Sequence, residues 1–156
     1  MAFWIHLARY KHPDRVAIEG PSRSLTYAEL SAAAVGVAGA LGQMGVRDGD
    51  RVALVLPDVE DFVVALHGCF LAGAVAVPVD LRLTEEERAA RLAGAEVVLT
   101  ELPSPAPAGG GGFGDVPITV MHTSGTTAAP KQVVLTHGNW LANALGSAVA
   151  LGLDPA

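Results

Sequence analysis

Two near-continuous apolar strands, Arg51–Leu56 and Ala74–Val79, limit the folds open to this chain. Strands that lack polar alternation are covered on both faces, which is the habit of parallel sheets. Between them lies a helix-length stretch, about Val59 to Leu71, with Asp58 as a candidate cap and Gly73 as its stop. The alternation continues on either side. Thr26-Tyr-Ala-Glu29 forms a capping box that opens a helix to about Met44, where Gly45 stops it. Thr84-Glu-Glu-Glu87 opens another that Gly94 closes. Further strands are predicted at Arg15–Glu19, Glu96–Thr100, Pro117–Met121 and Val133–Thr136, and further helices over residues 3–12 and 139–151. The pattern predicts an α/β fold with alternating helices and largely parallel strands. Residues 101–116 break it. Pro103, Pro105 and Pro107 precede Gly109–Gly112, which predicts a flexible surface connection and not a core element.

The 156 residues suffice for one domain with a core, and 51% are hydrophobic against 17% charged, which excludes a highly charged disordered chain. Phe62–Val79 is apolar enough to raise the question of a membrane span. His67, Gly68, Gly73 and Pro78 interrupt it, so it is read as a helix followed by a buried strand, with no transmembrane segment. A formal charge of -6 disfavours a nucleic-acid partner. Cys69 is the one cysteine, so no intrachain disulfide can form, which fits a reducing, cytoplasmic setting. The N-terminus lacks the pattern of a signal peptide.

The chemistry is concentrated in Thr123-Ser-Gly-Thr-Thr-Ala-Ala-Pro-Lys131. A polyphosphate is a dense anion, held by backbone N–H groups, hydroxyls and a cation. Thr123, Ser124, Thr126 and Thr127 bring hydroxyls, and Gly125 allows close backbone approach. Pro130 stiffens the exit, and Lys131 is one of only two lysines in the chain. A Ser/Thr/Gly cluster by itself reads as a polar hairpin turn. Its setting between two apolar strands, with a rare lysine at its end, favours phosphate binding. A Walker-type loop is excluded, because Ala129-Pro130 precedes the lysine and Gln132 follows it.

This run, extended from His122 to His137, resembles the signature loop of the AMP-forming acyl-CoA synthetases. That superfamily includes luciferases and peptide-synthetase adenylation domains. Its usual pattern is Thr-Ser-Gly-Thr-Thr-Gly-x-Pro-Lys-Gly. Pro13-Asp-Arg-Val-Ala17, Leu25-Thr-Tyr-Ala-Glu-Leu30, Gly45-Val-Arg-Asp-Gly-Asp-Arg-Val-Ala53 and Ala72-Gly-Ala-Val-Ala-Val-Pro78 carry the likeness upstream. Within it, His67-Gly-Cys-Phe-Leu71 and Gly138-Asn-Trp140 leading to Gly146–Asp154 resemble the o-succinylbenzoate–CoA ligases of menaquinone synthesis.

The resemblance implies that residues 1–156 are the N-terminal part of a large AMP-binding domain. It also implies two half-reactions: a carboxylic acid and ATP give an acyl-AMP and pyrophosphate, then coenzyme A displaces AMP to give a thioester. Thr123, Ser124, Gly125, Thr126, Thr127 and Lys131 would grip the β- and γ-phosphates, with Mg²⁺ bridging phosphate oxygens. The family's catalytic residues, metal-binding glutamate and most of the acyl pocket are expected beyond Ala156. The partners implied are a small-molecule acid and the remainder of the enzyme. Residues 1–156 alone are expected to be inactive and to self-associate through uncovered apolar surface. The alternatives are another acyl-CoA ligase, a carrier-protein loading enzyme, or a non-catalytic nucleotide-binding or interaction module.

Ala128 and Gln132 stand where the family has glycine. Either would strain the loop if its backbone required positive φ, weakening or altering ATP handling. His67 is expected to be a satisfied core histidine and Cys69 a small buried hydrophobe. His122 reads as a strand-end residue and His137 as a packing or capping residue. Asp58, Glu60 and Asp61 read as an acidic helix start, and Glu85–Glu87 as another, solvated. The five histidines show no metal-ligand spacing.

Overall fold

The computed structural model describes residues 4–108, 116–123 and 131–152. The chain opens with α1 (Trp4–Lys11) and a small antiparallel pair, β1 (Val16–Glu19) and β2 (Ser24–Thr26). There follow α2 (Tyr27–Gln43), β3 (Arg51–Leu54), α3 (Val59–Ala72), β4 (Val75–Pro78), α4 (Glu85–Leu92) and β5 (Val97–Leu99). Then come β6 (Pro117–Thr123), β7 (Lys131–Thr136) and α5 (His137–Leu151). Among the described residues five strands form one sheet in the order β5-β3-β4-β6-β7. β3 pairs in parallel with β4 and β5, and β4 with β6; only β7 runs antiparallel, against β6. The α/β architecture with a mostly parallel sheet is the one the apolar runs predict.

The sheet is covered unequally. Val52, Leu54 and Ala76 belong to the main core with Ala34, Val37 and Leu41 of α2 and Val64, Ala65 and Phe70 of α3. Val75, Val77 and Val120, on the other face by alternation, form a much smaller cluster. Both helix-opening boxes form. Glu29 and Glu87 each accept from the backbone N–H of the capping threonine, which accepts in return from the glutamate's N–H. Thr136 makes a third box with Asn139, tying β7 directly to α5.

Three local expectations change. Asp58 sits at the start of α3 but makes no side-chain cap. The carboxylate that matters there is Glu60, which is 1% exposed and not solvated. Its Oε1 accepts from the backbone N–H groups of Ser22 (2.8 Å) and Arg23 (3.0 Å), while Arg23 also pairs with Asp61. Backbone N–H groups, its own first and then those of Arg23 and Ser22, hold the Glu60 carboxyl below its ordinary pKa. Ser24–Thr26, to which the sequence assigned no strand, pairs antiparallel with β1 beside this clamp.

Of the expected connection over 101–116, residues 109–115, Gly109–Gly112 among them, lie outside the described residues. Residues 102–108 have no regular structure, but they lie against α2. The Ala106 N–H donates to the Gly36 carbonyl at 3.1 Å, and Leu102 packs on the core. Gly39 is what admits it, since a Cβ there would collide with the Ala106 carbonyl. Gly39→Ala is therefore expected to destabilise by about 1–2 kcal/mol, overpacking outweighing the gain in helix propensity. Gly42, with nothing within 4 Å of its would-be Cβ, is the control. Gly42→Ala is expected to stabilise by up to about 1 kcal/mol. Urea midpoints of the two variants, moving in opposite directions, check both.

Candidate functional site

The four mutually parallel strands point the same way, so β3, β4, β5 and β6 present their carboxyl ends along one edge. In open α/β sheets that edge is where ligands bind. The serine-threonine-glycine run leaves from it. Thr123 ends β6, Lys131 begins β7, and the two are register partners, with the Thr123 hydroxyl donating to the Lys131 carbonyl at 3.4 Å. The strands flanking the run thus pair as an antiparallel hairpin, with Thr123 opposite Lys131 at its end. Of the predicted grip, the structure places Thr123 and Lys131 together; Ser124, Gly125, Thr126 and Thr127 lie outside the described residues, as does Ala128.

Gln132 is an ordinary strand residue paired with His122. No described non-glycine residue has a positive φ, so the strain expected of a side chain at this position does not arise. Its amide oxygen instead accepts from Arg51 Nη2 at 3.2 Å. Sequence reasoning passed over Arg51, which lies 81 residues away from Gln132. His122 is half-buried, and its Nδ1 has no hydrogen-bond partner. Its pKa is lowered, by desolvation first and then by the positive charges of Arg91 and Arg51.

The support beneath the hairpin is aromatic. Phe70 of α3 meets Trp140 edge-on at 5.6 Å and His137 at 5.9 Å, both on α5. Trp140 Nε1 donates to the hydroxyl of Thr119, a fully buried residue on β6 (3.1 Å). His67 behaves as the core histidine expected, with Nδ1 2.9 Å from the Val63 carbonyl and a pKa lowered by burial. Burial pushes the Cys69 thiol up to about 12, so it is an inert hydrophobe. An apolar cleft of about 410 Å³ opens between α3 and α5, lined by Phe62, Leu66, Met121, Leu135 and Trp140 among others. Among the described residues, no group of three or more His, Cys, Asp or Glu side chains could hold a metal. None of the described helices is long and apolar enough to cross a membrane.

The described residues thus form an α/β protein with a mostly parallel sheet and with Thr123 and Lys131 paired at its carboxyl edge. The chain belongs to the AMP-binding enzyme family, which matches residues 6–110 and 112–155. It is 31% identical to the 2-succinylbenzoate–CoA ligase of Bacillus cereus (strain Q1) over 98% of its own length. It spans 36% of the length of that relative. Among solved structures it is similar to the O-succinylbenzoate coenzyme A synthetase of Bacillus subtilis in complex with AMP. The TM-score is 0.89 at 30% identity, covering 99% of this chain and 47% of that one. The same enzyme in complex with ATP and magnesium ion gives a TM-score of 0.85 at 28% identity, covering 99% and 48%.

Proposed function

We propose that residues 1–156 are the N-terminal, phosphate-gripping part of the large domain of an AMP-forming acid–CoA ligase, and that its acid is o-succinylbenzoate. The observation that carries this reading is the Thr123–Lys131 pair at the carboxyl end of β6, closing the base of the loop. The similar enzyme's complexes with AMP and with ATP and magnesium support the nucleotide. The names of the relatives support the acid.

In this reading Thr123, Ser124, Gly125, Thr126, Thr127 and Lys131 hold the β- and γ-phosphates while the acid's carboxylate attacks the α-phosphorus. The bond to the bridging oxygen breaks, and pyrophosphate leaves with its charge met by Lys131 and the loop's N–H groups. Coenzyme A then attacks the acyl carbon, and AMP departs. Magnesium, named in the similar enzyme's complex with ATP, would offset charge on the triphosphate alongside Lys131. The reading places the protein in the cytoplasm, where ATP and coenzyme A are supplied.

The test is acid-dependent ATP–pyrophosphate exchange by the polypeptide that continues this chain, across a panel of carboxylic acids. Exchange strongest with o-succinylbenzoate is expected; exchange with another acid alone overturns the substrate, and none with any acid overturns the ligase reading. Residues 1–156 alone are expected to show none.

The uncovered surface belongs to the same proposal. Leu141, Leu145 and Val149 recur every four residues along α5 and are 43%, 59% and 84% exposed. Residues 1–156 expressed alone are therefore expected to self-associate. Sedimentation should show a concentration-dependent mass that Leu145→Glu lowers; a monomer at all concentrations rejects this.

A further inference from the structure

We infer that Arg51 is a positioning residue for Lys131, acting through Gln132. The inference rests on the ligase reading of the loop and adds to it a group that lies far from the loop in sequence. Arg51 begins β3 and is fixed there by its backbone: it is the register partner of Val75, and its carbonyl accepts from the Glu96 N–H at 2.8 Å. Strand alternation puts Arg51, Val75, Val77, Val120 and His122 on one face of the sheet, with Gln132 opposite His122 in the hairpin. This is the thinly covered face. Across it Arg51 Nη2 reaches the Gln132 amide oxygen at 3.2 Å, although β4 and β6 separate the two strands in the sheet.

Gln132 directly follows Lys131, whose pairing with Thr123 closes the loop. Holding Gln132 therefore holds the exit of the loop and the origin of the lysine side chain against a strand at the far side of the sheet. β7 is the edge of the described sheet and gains no pairing from a further strand. Among the described residues Arg51 forms no salt bridge that would compete for its guanidinium. A glycine at 132, the residue of the superfamily pattern, could not make this bond. In this chain a side-chain tether stands at a position where that pattern has no side chain.

The experiment compares Arg51→Leu, Gln132→Gly and the double variant in the continuing polypeptide, with Arg51→Lys as the conservative variant. Each single change is expected to raise the KM for ATP about fivefold with kcat within about twofold. The double variant should match the singles, because both remove the same bond. Arg51→Lys, which keeps a donor, should recover part of the loss. Additive effects, or an unchanged KM in an active enzyme, overturn the inference while leaving the ligase reading intact. Hydrogen exchange of residues 1–156 gives a readout that needs no activity. Arg51→Leu should speed exchange in the β6–β7 hairpin and leave α3 unchanged. Unaltered hairpin exchange overturns the tether even if the protein proves not to be a ligase.

Discussion

Phe70→Ala is expected to cost about 3–5 kcal/mol of folding stability, the range for removing a fully buried aromatic side chain. Phe70 is 1% exposed and heads the fully buried side chains by volume. Among the described residues its ring meets those of His67 on its own helix and of His137 and Trp140 on α5. α5 contributes no buried residue among those described, and this aromatic contact and the Trp140–Thr119 hydrogen bond help to seat it. Its first residue follows β7 without a gap. The loss should therefore reach the hairpin as well as the core. Urea unfolding of the Leu145→Glu background, which removes the complication of self-association, measures the cost. A change below about 1.5 kcal/mol would show that the site collapses around the missing ring and that α5 is held by something else.

Much of this fold could be read from the sequence because its signals are local. A capping box spans four residues, and both expected boxes form at Thr26 and Thr84. Gly45, Gly73 and Gly94, expected as helix stops, all adopt the left-handed conformation, at φ 88°, 74° and 80°. Gly73 could not be otherwise replaced, because a Cβ there would also meet the Asp48 carboxylate. What escaped is what depends on residues far apart. Glu60 looks like any acidic residue in a first helical turn, and only the return of residues 22–23 to α3 makes it a buried clamp. Pro105 to Pro107 look like linker, and only the small residues Gly36 and Gly39 on α2 let that segment dock.

The candidate site divides in the same way. The loop's composition singles it out as the candidate without any structure, because hydroxyls, glycine and a rare lysine between apolar strands favour phosphate binding. The consequences of Gln132 were not legible. From the pattern alone a side chain in place of glycine suggests strain, but the antiparallel pairing begins at Lys131, so Gln132 has extended strand backbone that any residue adopts. The side chain is then free to reach Arg51, a contact no local rule could supply.

Lys131→Ala in the continuing polypeptide is expected to lower kcat/KM for ATP in the exchange reaction by about 10²-fold. The lysine begins β7, is exposed, and forms no salt bridge among the described residues. Removing an exposed side chain of this kind should change stability by no more than about 0.5 kcal/mol, and the backbone pairing with Thr123 does not need the side chain. A fall in activity without a fall in stability thus isolates the charge. If the lysine meets charge that grows on departing pyrophosphate, kcat should fall more than KM rises; if it only gathers ATP, KM should carry the effect. Lys131→Arg keeps the charge but changes its geometry, so it should recover part of the rate and not all of it. A change of less than about threefold in Lys131→Ala would remove the lysine from the phosphate grip. It would leave the threonine and serine hydroxyls and the loop's N–H groups to hold the triphosphate, making the hairpin a shape that admits the nucleotide and not a charge that drives its cleavage.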